Sequence, residues 1–226
     1  MKEIIKVLRE LQKNNHTEWF HAHRKEYEAA RDRFGQFAMK LIAGVAQFDK
    51  STEGLELKDC TYRINRDIRF SADKSPYKTH FGVFIAPGGK KSGHAGYYFH
   101  LSVGGTGYPD ESMVAIGHYC YDKKVVEIVR EDLQDDGKRF DKYIQTAAKD
   151  GLRLDYTDAL KKVPKDLADF PYKDYWRLKT YCLDKPLDDS FVCDEHLLEH
   201  LLDIFKRNQP FVAYLNQVID YTKEED

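Results

Sequence analysis

Basic and hydroxyl side chains are concentrated between Tyr62 and Thr79, in the segment Y-R-I-N-R-D-I-R-F-S-A-D-K-S-P-Y-K-T. Its cations are Arg63, Arg66, Arg69, Lys74 and Lys78. Two acids, Asp67 and Asp73, lie among them. Arginine presents a flat pair of N–H donors to an oxyanion, and lysine presents a mobile positive charge. The composition of the segment therefore predicts a site for a phosphate or another anion.

Apolar residues alternate with polar ones in the first half of this segment, which predicts a strand over residues 60–70. Along a straight strand Arg63 and Arg69 would lie roughly 20 Å apart, because each residue adds about 3.3 Å. That separation is too large for both guanidinium groups to bind one phosphate. We therefore expect Arg63 to lie outside the anion site.

The other cations can meet if the chain turns back after the strand. Ser75-Pro76 favours such a turn, because the φ angle of proline is already fixed near the value that a turn requires. We expect Arg69, Lys74 and Lys78 to converge on one oxyanion-sized pocket. The full set of expected ligand-binding residues is Arg66, Arg69, Ser71, Lys74, Tyr77, Lys78 and Thr79.

Three roles are open for this set of residues. The first is binding of an anionic ligand. The second is catalysis, as a hydrolase or transferase of a phosphorylated substrate, with Asp67 or His80 as the acid or base beside the cations. The third is structural, with Asp67 and Asp73 neutralising the cations and Arg66 as a buried, fully bonded guanidinium. Binding ranks above catalysis, because no pair of nucleophile and base can be singled out.

The block R-I-N-R-D-I-R-F-S-A-D-K-S-P-Y-K-T-H-F-G resembles the signature of the uncharacterised family catalogued as domain of unknown function 2461. The earlier N-N-H-T-E-W-F-H-A-H-R-K-E-Y and the later K-K-V-P-K resemble its flanking motifs, so the resemblance covers nearly the whole chain. The residues that fill the family pattern are Arg63, Arg66, Asp67, Arg69, Ser71, Lys74, Pro76, Tyr77, Lys78 and Thr79. The resemblance implies that they share a role, and it names no activity.

The charges of the whole chain nearly cancel. Lysine and arginine number 36 and aspartate and glutamate 38, which gives a net charge of −2. A protein that wraps nucleic acid usually carries a broad basic surface, so nucleic acid is not the favoured partner. We expect a phosphorylated small molecule or a nucleotide, bound by local charge. No sequence pattern specifies an oligomeric state.

Several patterns argue against a membrane protein and against common cofactor sites. The chain has no run of about eighteen apolar residues, so we expect a cytoplasmic protein without membrane contact. Its 4 cysteines form no C-x-x-C pair, which favours free thiols. The loop at residues 87–96 is rich in glycine, but it lacks the Lys-Ser or Lys-Thr and the helix of a phosphate loop. We expect no cofactor.

The histidines offer two metal-binding patterns, and neither is persuasive. His80, His100 and His118 could lie across adjacent strands, but no spacing rule distinguishes such a triad from ordinary sheet histidines. His196 and His200 match the H-x-x-E-H motif of inverted zinc peptidases. Leucines form the apolar side of that helix, so both histidines should face solvent. We expect no metal site.

The elements that would position these residues follow from periodicity. Strands are predicted at residues 60–70, 81–86, 96–103, 112–121 and 180–183, and the short connections favour antiparallel pairing. Helices are predicted at residues 3–12 and 18–48, and a further helical region is predicted to be broken into two pieces at Gly137. Two more helices are predicted at residues 194–207 and 210–221, on either side of Pro210. The predicted fold is one α+β domain over residues 1–226. An antiparallel sheet of four to six strands is packed by the long N-terminal helix and the C-terminal helices.

Overall fold

A computed structural model describes residues 1–104 and 110–224 of the chain. Its helices are α1 (Lys2–Lys13), α2 (Thr17–Ala22), α3 (Arg24–Phe48), α4 (Leu57–Cys60), α5 (Lys123–Lys149), α6 (Lys173–Trp176), α7 (Asp189–Val192) and α8 (Leu197–Glu224). Its strands are β1 (His80–Ile85), β2 (Gly96–Ser102), β3 (Ser112–His118), β4 (Arg153–Leu154) and β5 (Tyr181–Leu187). None of these helices has a stretch both long and apolar enough to cross a bilayer.

The strands form one antiparallel sheet. Within the described residues it has 5 strands in the order β1-β2-β3-β5-β4. The first three follow one another along the chain, and their register places Phe99 between Val83 and Val114. β5 then pairs with both β3 and β4. This sheet, with a long N-terminal helix and C-terminal helices, confirms the predicted α+β class.

Helices pack on the face of the sheet that carries Val83, Phe99 and Val114. Phe34 of α3 stacks on Phe81 of β1, with ring centroids 5.2 Å apart. The core around these rings is continuous from Ile4 to Ile219. That continuity supports our proposal of a single domain over residues 1–226.

The helix predicted over residues 18–48 is divided at His23. The His23 backbone N–H donates to the Trp19 carbonyl, and its ring stacks on Trp19 at a centroid distance of 4.1 Å. The backbone of His23 itself is not helical, with φ −109° and ψ 16°, so α2 ends there and α3 begins at the next residue. Within α3, Gly44 allows a close approach of α8, because a Cβ at this position would lie 2.6 Å from Leu202.

The division predicted at Pro210 is wrong, because α8 is continuous and contains this proline. Proline removes one intrahelical hydrogen bond. Phe205 and Phe211 are buried on either side of it, so the packing of one apolar face keeps the helix intact. In α5 the backbone leaves helical geometry at Asp136, next to the break predicted at Gly137.

The strand predicted over residues 60–70 is also wrong. α4 ends at Cys60, and the following segment pairs mainly with itself. The Arg66 N–H donates to the Pro76 carbonyl at 3.0 Å, and the Lys78 N–H donates to the Ile64 carbonyl at 2.9 Å. Residues 64–66 and 76–78 thus form a paired neck, and residues 67–75 form a basic loop on top of it. The alternation predicted a strand, whereas the described backbone here forms only isolated bridges at Thr61 and Asn65.

Tyr77 fixes the neck to the N-terminal helices. Asn15 Nδ2 donates to the Tyr77 carbonyl at 2.8 Å, and the Tyr77 N–H donates to Asn15 Oδ1 at 3.1 Å. The Tyr77 ring is buried and stacks on Phe20 at a centroid distance of 4.1 Å. The N-terminal motif therefore holds the central motif in place.

Replacement of Asn15 by alanine should lower the free energy of unfolding by about 2 kcal/mol, because two part-buried hydrogen bonds worth about 1 kcal/mol each are lost. Urea denaturation followed by circular dichroism measures this loss. Asn14→Ala is the matched control, since the Asn14 side chain donates to the Glu10 carbonyl at an exposed position. The control should cost less than about 0.5 kcal/mol. Equal losses in the two variants would contradict the role of Asn15 as a clamp.

Candidate functional site

The guanidinium of Arg66 holds the basic loop together by hydrogen bonds to residues of that loop. Its side chain is 12% exposed and donates to Asp73 Oδ2 at 2.5 Å, to the Ser75 carbonyl at 2.9 Å and to Ser71 Oγ at 3.4 Å. Ser75 also donates to Asp73 through its hydroxyl and its backbone N–H. These bonds to Ser75, together with Arg66, lower the pKa of Asp73 to about 2. Arg66, Ser71 and Asp73 are thus engaged in holding the loop.

Arg69 and Lys74 lie on the exposed part of the basic loop. Arg69 donates to both carboxylate oxygens of Asp67, at 2.9 and 2.7 Å, and this pairing lowers the pKa of Asp67. Lys74 Nζ donates to the Ile68 carbonyl at 2.9 Å. Between them Phe70 is 97% exposed. Both cations therefore have a partner within their own loop.

Tyr77 and Thr79 anchor the base of the neck. Tyr77 is buried against Phe20, and Thr79 is buried with its hydroxyl donating to the Gly104 carbonyl at 2.6 Å. Of the expected ligand-binding set, Lys78 lines a cleft, whereas Arg69 and Lys74 are outside its lining. The expected ligand-binding role of the whole set stays a prediction.

This cationic cleft has a volume of about 750 Å³ and is bounded by α3, residues 56–64 and residues 78–82. Tyr27 and Phe34 of α3 and Phe81 of β1 form its apolar floor. Its cations are Arg31, Lys58, Arg63 and Lys78. The cleft thus combines an aromatic surface with positive charge, which suits an anionic ligand that also has an apolar part.

The four cations of the cleft differ in how they are compensated. Arg31 pairs with Asp32 at 3.4 Å, and Lys58 pairs with Glu56 at 2.8 Å. Within residues 1–104 and 110–224, the side chains of Arg63 and Lys78 form no ion pair and no hydrogen bond. These two are the cations that can accept a new partner without losing an existing one.

Lys78 lies in a half-buried position with its Nζ 5.5 Å from the centre of the Tyr62 ring. Burial lowers the pKa of Lys78, and the positive charge of Arg63 lowers it further. Both causes destabilise the charged ammonium. A bound anion would offset both effects, because its negative charge stabilises the ammonium.

Arg63 is the residue of the cleft that the sequence argument missed. Its exclusion assumed a straight strand, which this segment does not form. The neck instead returns Lys78 to the level of Ile64, beside Arg63. Ser75-Pro76 indicated that the chain turns, but no sequence signal gave the register of the return.

His80 also lines the cleft, at the start of β1. Burial, followed by the charges of Lys78 and Arg66, lowers the pKa of His80 to about 4. Its ring lies 4.5 Å from that of His100, whose Nδ1 is hydrogen-bonded to the Tyr98 hydroxyl at 2.7 Å. His80 is therefore neutral at neutral pH and can hydrogen-bond a ligand without contributing charge.

The histidines do not form a triad. His100 pairs with Gly82 and Met113 across the sheet, whereas His118 pairs with Tyr181 at the other end of β3. In the parts of the chain that the structure describes, no three His, Cys, Asp or Glu side chains are grouped closely enough to hold a metal ion.

Comparison with known proteins identifies a family but no individual relative. A family model described as "Conserved hypothetical protein (DUF2461)" matches residues 3–214. No curated protein and no solved structure matches the chain. The match covers the neck, the basic loop and both sides of the cationic cleft.

The low pKa of His80 predicts a pH-dependent loss of stability. Below pH 6.5 the unfolded chain protonates His80, whereas the folded protein does so only near pH 4, so stability should fall as the pH decreases through this window. The His80 contribution to the loss should be up to about 3 kcal/mol. Urea denaturation between pH 7 and pH 4 should therefore show a shallower pH dependence for His80→Asn than for the parent.

His21→Asn is the control for this measurement, because His21 is exposed on α2. It should retain the pH dependence of the parent protein. A parent and a His80→Asn variant with the same pH dependence would contradict the part-buried, neutral state of His80.

Proposed function

Since the chain belongs to the DUF2461 family, whose description names no reaction, we propose a function from the cationic cleft itself. We propose that the protein binds a phosphorylated small molecule there, with Arg63 and Lys78 as its direct contacts. One observation carries the proposal. A half-buried lysine and an arginine stand together in a cleft, and neither side chain forms an ion pair or a hydrogen bond with any residue that the structure describes.

Uncompensated cations in this position are costly for the folded protein. Burial removes water from the Lys78 ammonium, and Arg63 adds like-charge repulsion. A phosphate between them would accept charge-assisted hydrogen bonds of about 2.7–2.9 Å and remove the repulsion. Arginine suits two oxygens of one phosphate, while lysine provides a single mobile donor. Relief of the charge repulsion that is present in the free protein therefore contributes to the binding free energy.

The remaining members of the expected set support the cleft indirectly in this proposal. Arg66 and Ser71 hold the basic loop, and Tyr77 and Thr79 anchor the neck. The neck in turn determines where Lys78 lies. The structural hypothesis for Arg66 is thus supported by its bonds, and it is compatible with anion binding next to it.

Binding is favoured over catalysis by the positions of the two candidate acids or bases. Asp67 is exposed on the basic loop and paired with Arg69. His80 lines the cleft, but with a pKa of about 4 it is a weak base for proton abstraction at neutral pH. A hydrolase or transferase acting on a phosphorylated substrate is the alternative, and His80 is then the candidate within reach of the ligand.

A small ligand is favoured over nucleic acid because the positive charge is local. The chain has a net charge of −2, and the acids Asp32 and Glu56 also line the cleft. A phosphate backbone is held by many cations along a surface. Two unpaired cations in one cleft are enough to bind a phosphate or a diphosphate instead.

The proposal predicts that inorganic pyrophosphate binds to the parent protein and that Lys78→Ala and Arg63→Ala each weaken this binding at least about 10-fold. Loss of one hydrogen bond to a charged group has this size, because about 1.4 kcal/mol corresponds to a factor of ten. Isothermal titration calorimetry at low ionic strength measures the affinity. Melting temperatures should not fall, since neither side chain has a polar partner to lose and each substitution removes the repulsion between the two cations.

Arg69→Ala and Lys74→Ala are the matched controls, because they remove the same charges from the basic loop. Each should change the pyrophosphate affinity less than about 2-fold. Loss of affinity in these controls, with normal binding by Lys78→Ala, would place the anion on the loop. If the parent protein bound no pyrophosphate and the cleft variants were strongly destabilised, anion binding would be refuted and only the structural role would remain.

A further inference from the structure

A second cavity, of about 410 Å³, lies on the face of the sheet opposite α3 and α8. One row of directly paired residues crosses it, formed by Phe84 of β1, Tyr98 of β2, Ala115 of β3 and Asp184 of β5. These residues alternate with Val83, Phe99, Val114 and Leu183, which face the core. The row thus has two aromatic rings at one end, a small residue in the middle and a carboxylate at the other end.

Small residues create the depth of this aromatic pocket. Ala115 forms its floor with Gly96 and Gly117 of the adjacent row. Gly117 has a φ of 123°, and a Cβ there would lie 2.3 Å from the Tyr181 carbonyl oxygen, so no side chain fits. The rings of Tyr62, Phe84, Tyr98 and Tyr119 stand around this floor. A flat apolar group can therefore enter and contact aromatic rings.

Asp184 is the polar group best placed to orient such a ligand. Its carboxylate lines the pocket in a half-buried position, and it forms no hydrogen bond or ion pair with any residue in the described part of the chain. Burial, and then the charge of Asp155, raises the pKa of Asp184. An ionised carboxylate only accepts hydrogen bonds, so the matching ligand presents N–H donors at the edge of a flat ring.

A covalent reaction at the neighbouring thiol is disfavoured. Cys182 also lines the pocket, but burial raises the pKa of its thiol to about 12. The thiolate is the reactive form, and it is scarce at neutral pH with such a pKa. The pocket therefore fits reversible binding.

The aromatic pocket and the cationic cleft adjoin at the edge strand β1. Tyr62 lines both of them, and Lys78 lies over its ring. Gly82 lines the cleft and lies against Tyr98 of the pocket, because a Cβ on Gly82 would be 2.7 Å from the Tyr98 hydroxyl oxygen. Tyr62 is therefore a wall shared by the two cavities, and a ligand that spans both would pass around its ring.

We propose that the phosphorylated ligand is a nucleotide, with its base in the aromatic pocket and its phosphates on Lys78 and Arg63. This inference rests on the proposed function for its phosphate half. Bases stack on aromatic side chains irrespective of their identity. Guanine places two neighbouring N–H donors on one edge, which matches a single carboxylate, whereas adenine offers one amino group there. A guanine nucleotide should therefore bind more tightly than an adenine nucleotide.

Calorimetry with GDP, ADP and inorganic pyrophosphate tests this inference on the full chain. GDP should bind at least about 10-fold more tightly than pyrophosphate, since base stacking and the Asp184 contact are added to the phosphate contacts. Asp184→Asn should weaken GDP binding at least about 10-fold and leave pyrophosphate binding unchanged, because only the base contact is lost. Asp158→Asn, an exposed acid on the connection after β4, is the control and should change neither.

Ala115→Leu provides an independent variant, because it fills the floor of the pocket without changing charge. It should reduce the GDP affinity to that of pyrophosphate, and a cooperative thermal transition checks its fold. Equal affinities of the parent for GDP and pyrophosphate, with no effect of Asp184→Asn, would overturn the nucleotide assignment and leave the proposed function intact. Absence of pyrophosphate binding would instead refute the proposed function, and the nucleotide assignment with it.

Discussion

The hydrogen bonds of the largely buried Arg66 guanidinium are the interaction on which the candidate site depends. The guanidinium binds Asp73, Ser75 and Ser71 at once and closes the basic loop so that the two sides of the neck can pair. A buried arginine is stable only when its donors are satisfied, because an unpaired buried charge costs several kcal/mol. The loop supplies these acceptors from its own residues. The pairing of the two sides of the neck brings Lys78 back beside Arg63. Asn15 then fixes the neck to the N-terminal helices.

The cations of the central segment therefore divide by their partners. Arg66, Arg69 and Lys74 already bind acceptors within the segment, whereas Lys78 and Arg63 face a cleft without one among the described residues. Composition alone cannot show this division, because all five side chains have the same charge and similar reach. It follows from the fold of the neck, which turns some cations toward their own loop and others toward α3.

The fold was predictable from local patterns where neighbours in sequence are also neighbours in space. β1, β2 and β3 pair in chain order, and their short connections indicated this antiparallel arrangement. Residues 60–70 were assigned to the sheet because alternation reports extended backbone without naming its partner. The site was predictable only in part: Lys78 and His80 line the cleft, but the contribution of Arg63 required the register of the neck. The aromatic pocket was missed because Phe84, Tyr98, Ala115 and Asp184 come from four strands and share no local motif.

The central claim is that Lys78 is an uncompensated cation that gains its partner from the ligand. Heteronuclear NMR of the lysine side chains can follow the titration of Lys78 with and without saturating pyrophosphate. We expect a Lys78 pKa below its ordinary value of 10.5 in the free protein and a clear rise on binding, since the anion offsets the effects of both burial and Arg63. A Lys78 titration that is the same in the free and the pyrophosphate-saturated protein would contradict it.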